Sequence, residues 1–103
     1  MPDQARPDAP FIAVLNGPNL NLLGERQPLI YGTDTLADIE RLCADTAAEH
    51  GLSVRCFQSN HEGELVEAVH RWRESAVGFV VNAAAYTHTS IAIRDALATI
   101  EGP

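Results

Sequence analysis

Phe11–Leu15 reads FIAVL and runs directly into Asn16-Gly17-Pro18-Asn19. A short apolar run without polar alternation, stopped by an Asn-Gly-Pro turn signal, predicts a strand buried on both faces. Ser53–Phe57 (SVRCF) and Val77–Val81 (VGFVV) have the same character. Amphipathic stretches separate them. Thr35–His50 places Leu36, Ile39, Cys43 and Ala47 on one helical face; Thr35 with Asp38 resembles a capping box, and Gly51 stands where the helix should stop. Glu62–Glu74 turns Leu65, Val69 and Trp72 inward, and Thr89–Ile100 does the same with Ile93, Ala96, Leu97 and Ile100. The order βαβαβα predicts an α/β fold, a parallel sheet with helices on both faces and right-handed crossovers.

Composition narrows the function. A chain of 103 residues, 46% of them hydrophobic, suits one core and no second domain. Residues 1–10 are polar and proline-rich and are expected to form a disordered tail ahead of a domain over 11–103. They lack the basic start and apolar stretch of a signal peptide, and the longest apolar run, Ala76–Val81, is far too short to span a bilayer; a cytoplasmic protein is expected. Fourteen acids against seven basic residues give a net charge of -7, which argues against a nucleic-acid footprint. All seven basic residues are arginine. Without lysine the chain can form no side-chain Schiff base and cannot use a P-loop lysine. Cys43 and Cys56 make neither a disulfide framework nor a zinc set and read as inert, buried thiols.

Ligands of open parallel sheets bind beyond the carboxyl ends of the strands. Here those ends lead into Asn16 and Asn19, into Ser59 and Asn60, and into Asn82. If the strand order is 2-1-3, the third strand is an edge, and VGFVV carries no charge, proline or bulge to protect it. A further stretch of chain or an oligomer is expected to cover that edge; alone, the chain is expected to aggregate or to be molten.

Two segments carry candidate chemistry. Asn16–Gly32, NGPNLNLLGERQPLIYG, is not a GxGxxG fingerprint; its mixture of glycine, proline, asparagine and leucine suits a lid that closes over a small ligand. It contains Arg26 and Tyr31. A tyrosine with a pKa of about 10 is a poor base at neutral pH, and a nearby guanidinium favours its phenolate. In Val81–Asp95, His88 lies between Thr87 and Thr89 at the expected start of the third helix, where the helix N-terminus favours a neutral imidazole. His50, His61 and His70 have no such company, and no pair of them has metal-ligand spacing.

Taken together, NGPNLNLLGERQPLIYG (16–32), QSNHEGELVEAVH (58–70) and AYTHTSIAIRDAL (85–97) closely resemble the type II 3-dehydroquinate dehydratase family, from about Phe11 to the end of the chain. The resemblance implies a flavodoxin-like fold. It also implies anti elimination of water from 3-dehydroquinate through an enolate to 3-dehydroshikimate, in the shikimate route to aromatic amino acids. No metal and no cofactor is implied, and the lysine-dependent imine route of the other dehydroquinase type is excluded. By motif position, Tyr31 would be the base, Arg26 would lower its pKa, and Asn19 would hold a water against the enolate oxygen. Asn82 and His88 would anchor substrate hydroxyls, and Asp95 would reach a neighbouring subunit's site, since the family assembles as trimers and commonly dodecamers.

The family continues past Pro103 into a His-x-Ser-Asn segment whose histidine is the general acid. The chain is accordingly expected to be a truncated, weakly active or inactive dehydratase. The alternative is a non-catalytic protein that binds a ligand or partner through its third strand. Asn82-Ala83-Ala84-Ala85 departs from the glycine- and proline-containing stretch of many members. If a torsion there must be positive, alanine is strained.

Overall fold

The computed structural model describes residues 10–25, 29, 32–87 and 89–103. Strands β1 (Phe11–Asn16), β2 (Ser53–Gln58) and β3 (Gly78–Asn82) alternate with helices α1 (Leu36–Ala48), α2 (Glu62–Trp72) and α3 (Ile91–Leu97). Short 3-10 turns cover Leu20–Leu22 and Ala84–Thr87. The strands form one parallel sheet in the order β2-β1-β3, as expected from the alternation and consistent with the flavodoxin-like fold that the resemblance implies.

Side chains that alternate across the pleat divide the core in two. Val14, Val54 and Cys56 pack with Ala47 of α1 on one face; Leu15 packs with Ala68 and Val69 of α2 and Ala96 of α3 on the other. The expected capping box exists: Thr35 Oγ1 accepts from Asp38 N–H, and Asp38 Oδ2 accepts from Thr35 N–H.

Element ends differ from expectation for local reasons. α2 closes at Trp72 because the N–H groups of Ser75 and Ala76 both turn back onto its carbonyl. β3 reaches Asn82 because that residue still pairs with Asn16. α3 is shorter than the Thr89–Ile100 pattern: Ser90 is its cap, accepting from Ile93 N–H at 3.0 Å, and the helix stops at Leu97. Of the two cysteines, Cys56 is buried and Cys43 is only partly so.

β3 is an edge. Val80, on the α1 face, is 56% exposed. On the side away from β1 the Phe79 N–H donates to the Pro103 carbonyl at 2.9 Å, so the final residues lie against the start of that edge. Among the described residues no helix is long and apolar enough to cross a membrane.

Candidate active site

The register puts three amide side chains in one row at the carboxyl end of the sheet, because Asn16 pairs with Gln58 on one side and with Asn82 on the other. Asn16 is buried, and its Nδ2 finds no hydrogen-bond partner among the described residues. Gln58 Nε2 donates to the Gly17 carbonyl at 3.0 Å and to Asn60 Oδ1 at 3.2 Å. The Gly17 N–H donates to the Asn82 carbonyl at 2.8 Å. Glycine is required here because a Cβ at position 17 would lie 2.5 Å from the Ala83 carbonyl oxygen.

Beyond this row the chain turns twice. Asn19 sits in the left-handed region (φ 69°), and its N–H donates to Asn60 Oδ1 at 2.9 Å. Asparagine tolerates that conformation better than most residues. Asn82 Oδ1 accepts from the Ala84 N–H at 3.2 Å, an Asx-type turn that holds Ala84 at φ 52°. The suspected positive torsion is therefore real and falls on an alanine. Asn82 Oδ1 serves the turn, and the NH2 of the same amide is a donor only. The Tyr86 hydroxyl donates to the Asn60 carbonyl at 3.2 Å, linking the ends of β2 and β3.

Pro18, Asn19 and Leu20 face Ala84 and Ala85 across a cleft of about 260 Å³. Its walls are mostly apolar, and Asn19 is the polar side chain among the residues that line it. The arrangement can fix a small polar molecule by directed hydrogen bonds while excluding bulk water from one side. Among the described residues no three His, Cys, Asp or Glu side chains come together as metal ligands.

Of the residues named from sequence, Asn19 and Asn82 do meet at this edge, together with Asn16, Ser59 and Asn60. Asp95 is exposed on α3. Arg26, Tyr31 and His88 lie outside the described residues. Gln58 and Tyr86 were not anticipated. Gln58 becomes visible once β2 is extended by one residue to match Asn16, whereas the reach of Tyr86 to Asn60 has no signal in local sequence.

Residues 10–103 match the family described as Dehydroquinase class II. The chain belongs to that family. A 3-dehydroquinate dehydratase of Cereibacter sphaeroides (strain ATCC 17029 / ATH 2.4.9) is 65% identical over 92 residues, covering 89% of this chain and 63% of that relative. One of Streptomyces avermitilis is 65% identical over 91 residues, covering 88% of this chain and 57% of the relative. Among solved structures, a type II dehydroquinase of Propionibacterium acnes superposes with a TM-score of 0.83 at 40% identity, over 90% of this chain and 64% of that one. This class II dehydroquinase chain thus spans somewhat less than two thirds of the relatives it matches. The matched part includes the whole amide row and both turns that border the cleft.

Proposed function

We propose that the chain serves the elimination of water from 3-dehydroquinate to give 3-dehydroshikimate. What carries this reading is a cleft at the carboxyl edge of a parallel sheet, lined by Asn19 and by Ala84, whose backbones are held by the side chains of Asn60 and Asn82; family membership supplies the reaction. The cleft suits a single small ring.

In the proposed reaction the Tyr31 phenolate removes a proton from the carbon beside the ketone, and the electron pair moves onto the carbonyl oxygen as an enolate. Arg26 keeps the phenol ionised, and a water held by Asn19 donates to the enolate oxygen. Preorganised donors of this kind contribute a few kcal/mol in the transition state. Asn82 and His88 hold the ring hydroxyls. The enolate then collapses and expels the β-hydroxyl, which leaves as water once an acid protonates it. The resemblance assigns that acid to a histidine outside these 103 residues. Without it, turnover should fall by roughly two to four orders of magnitude. Asp95, exposed on α3, is available to a neighbouring subunit, which fits a trimer-based homo-oligomer, a dodecamer in its full form. We assign the protein to aromatic amino-acid biosynthesis on the ground of its family, and we retain the reading of a cytoplasmic protein made from the sequence.

The test is 3-dehydroquinate turnover, followed by the ultraviolet absorbance of the enone product. It compares this chain, the chain extended by the unmatched part of a relative, and Tyr31→Phe in the extended form. Turnover confined to the extended chain and lost in Tyr31→Phe is the expected result. A folded, extended chain with no turnover would overturn the reading.

A further inference from the structure

Two acid–serine pairs tie the first turn of α2 to the edge of the sheet that bears the cleft. Glu64 Oε1 accepts from the Ser59 hydroxyl, whose oxygen in turn accepts from the His61 N–H at 2.9 Å. Glu62 Oε2 accepts from the Ser90 hydroxyl, whose oxygen accepts from the Ile93 N–H. Ser90 is buried and ends the loop that starts at Asn82. Its hydroxyl hydrogen points to the carboxylate and a lone pair to the helix, so one acid fixes both the cap rotamer and the position of the cap.

The loop between Asn82 and α3 is joined by side chains to the segment after β2 at two points: the Tyr86 hydroxyl on the Asn60 carbonyl, and Ser90 on Glu62. His88 falls between these points in sequence. Asn60 is the same residue that holds the Asn19 N–H. α2 therefore braces the Asn82 loop against the turn that carries Asn19.

We propose that Glu62 is a positioning residue, which sets the Asn82–Ser90 loop over the cleft through the Ser90 hydroxyl without touching the ligand itself. This rests on the ligand reading above. A surface acid at the start of a helix would ordinarily serve only the helix dipole. Glu62 is partly buried and commits an oxygen to a residue far along the chain, and that long-range bond sets it apart.

The experiment compares wild type, Glu62→Ala and Glu62→Gln in this same chain. Amide hydrogen exchange reads the brace, with Ile93 reporting on the cap and Val14 on the sheet. Titration with 3-dehydroshikimate, followed by the amide signals of Asn19 and Asn82, reads the ligand. Glu62→Ala should speed exchange at Ile93 about tenfold with Val14 unchanged and weaken binding about tenfold, as expected for one hydrogen bond. Glu62→Gln retains an acceptor and should stay within about threefold of wild type on both readouts. Unchanged exchange at Ile93 in Glu62→Ala overturns the proposal, as does a Gln variant as impaired as the Ala variant. Faster exchange with undiminished binding reduces Glu62 to a structural role and overturns it too. Should wild type itself not bind, the ligand reading falls, and the brace stands or falls on the exchange data alone.

Discussion

The backbone N–H of Asn19 donates to Asn60 Oδ1 at 2.9 Å, so the turn after the first strand is held by a side chain that follows the second. The same oxygen accepts from Gln58 Nε2. Truncating Asn60 removes the acceptor of the Asn19 N–H, whereas Gln58 keeps its bond to the Gly17 carbonyl. Asn60→Ala is expected to weaken 3-dehydroshikimate binding about tenfold, in line with about 1–1.5 kcal/mol for a lost hydrogen bond. Asn60→Asp, which keeps an acceptor oxygen, should retain most of the affinity. Isothermal titration of the three chains checks this.

Ala84 holds a positive φ of 52°. An L residue there costs roughly 1–2 kcal/mol, part of which glycine returns as unfolded-state entropy. Ala84→Gly should therefore stabilise the chain by about 0.5–1 kcal/mol in urea denaturation. Neutral or destabilising behaviour would show that the Asx turn carries no strain.

Gly17 has the opposite sign. A methyl group would meet the Ala83 carbonyl oxygen at 2.5 Å, against backbone that is itself tied to Asn82. Gly17→Ala should destabilise by about 2 kcal/mol or more, comparable with other overpacked sites. It should also displace the Asn82 amide signal in a nitrogen–proton spectrum.

Glu40 on α1 has a buried Oε2 with no hydrogen-bond partner among the described residues, and burial pushes its carboxyl above the usual carboxylate range. The nearby Cys56 thiol is itself pushed up to about 12, chiefly by burial and then by Glu40. A raised carboxyl pKa means the folded chain binds the proton more tightly than the unfolded chain. The stability it contributes is complete below the unfolded pKa and is lost as pH rises through the folded value. Glu40→Gln should flatten that decline, so the melting temperatures of wild type and variant should diverge as pH is raised from 4 to about 7. Parallel curves would refute it.

Val80 leaves an apolar side chain, 56% exposed, on an edge strand that pairs on its outer side with no other strand among the described residues. Val80→Lys should reduce light scattering of concentrated solutions without lowering the melting temperature, because edge lysines oppose strand addition. Equal scattering would place self-association elsewhere.

The fold was legible because it depends on local signals that agree with one another. Thr35 and Asp38 announce α1, FIAVL announces a strand buried on both faces, and each helix shows its inward stripe. The convergence of Asn19, Asn60 and Asn82 followed from topology. The detailed wiring did not, because Tyr86 on Asn60 and Glu62 on Ser90 join residues whose separation only the folded sheet closes. The start of α3 after Ser90 rather than at Thr89 reflects the same limit, because the Ser90 hydroxyl that caps the helix is held by Glu62, a contact only the fold supplies.

β1 comes first in the chain and lies at the centre of the sheet. Phe11 waits for Ser53, and Ile12 for Gly78, before either ladder can close. Loop closure must come before those contacts give any return, so assembly should be slow for a chain of this size. A ribosome making this protein would therefore hold its first strand unpaired until β2 has emerged, and would leave it half-paired until β3 follows. In that interval FIAVL stays an apolar strand without its ladder partners.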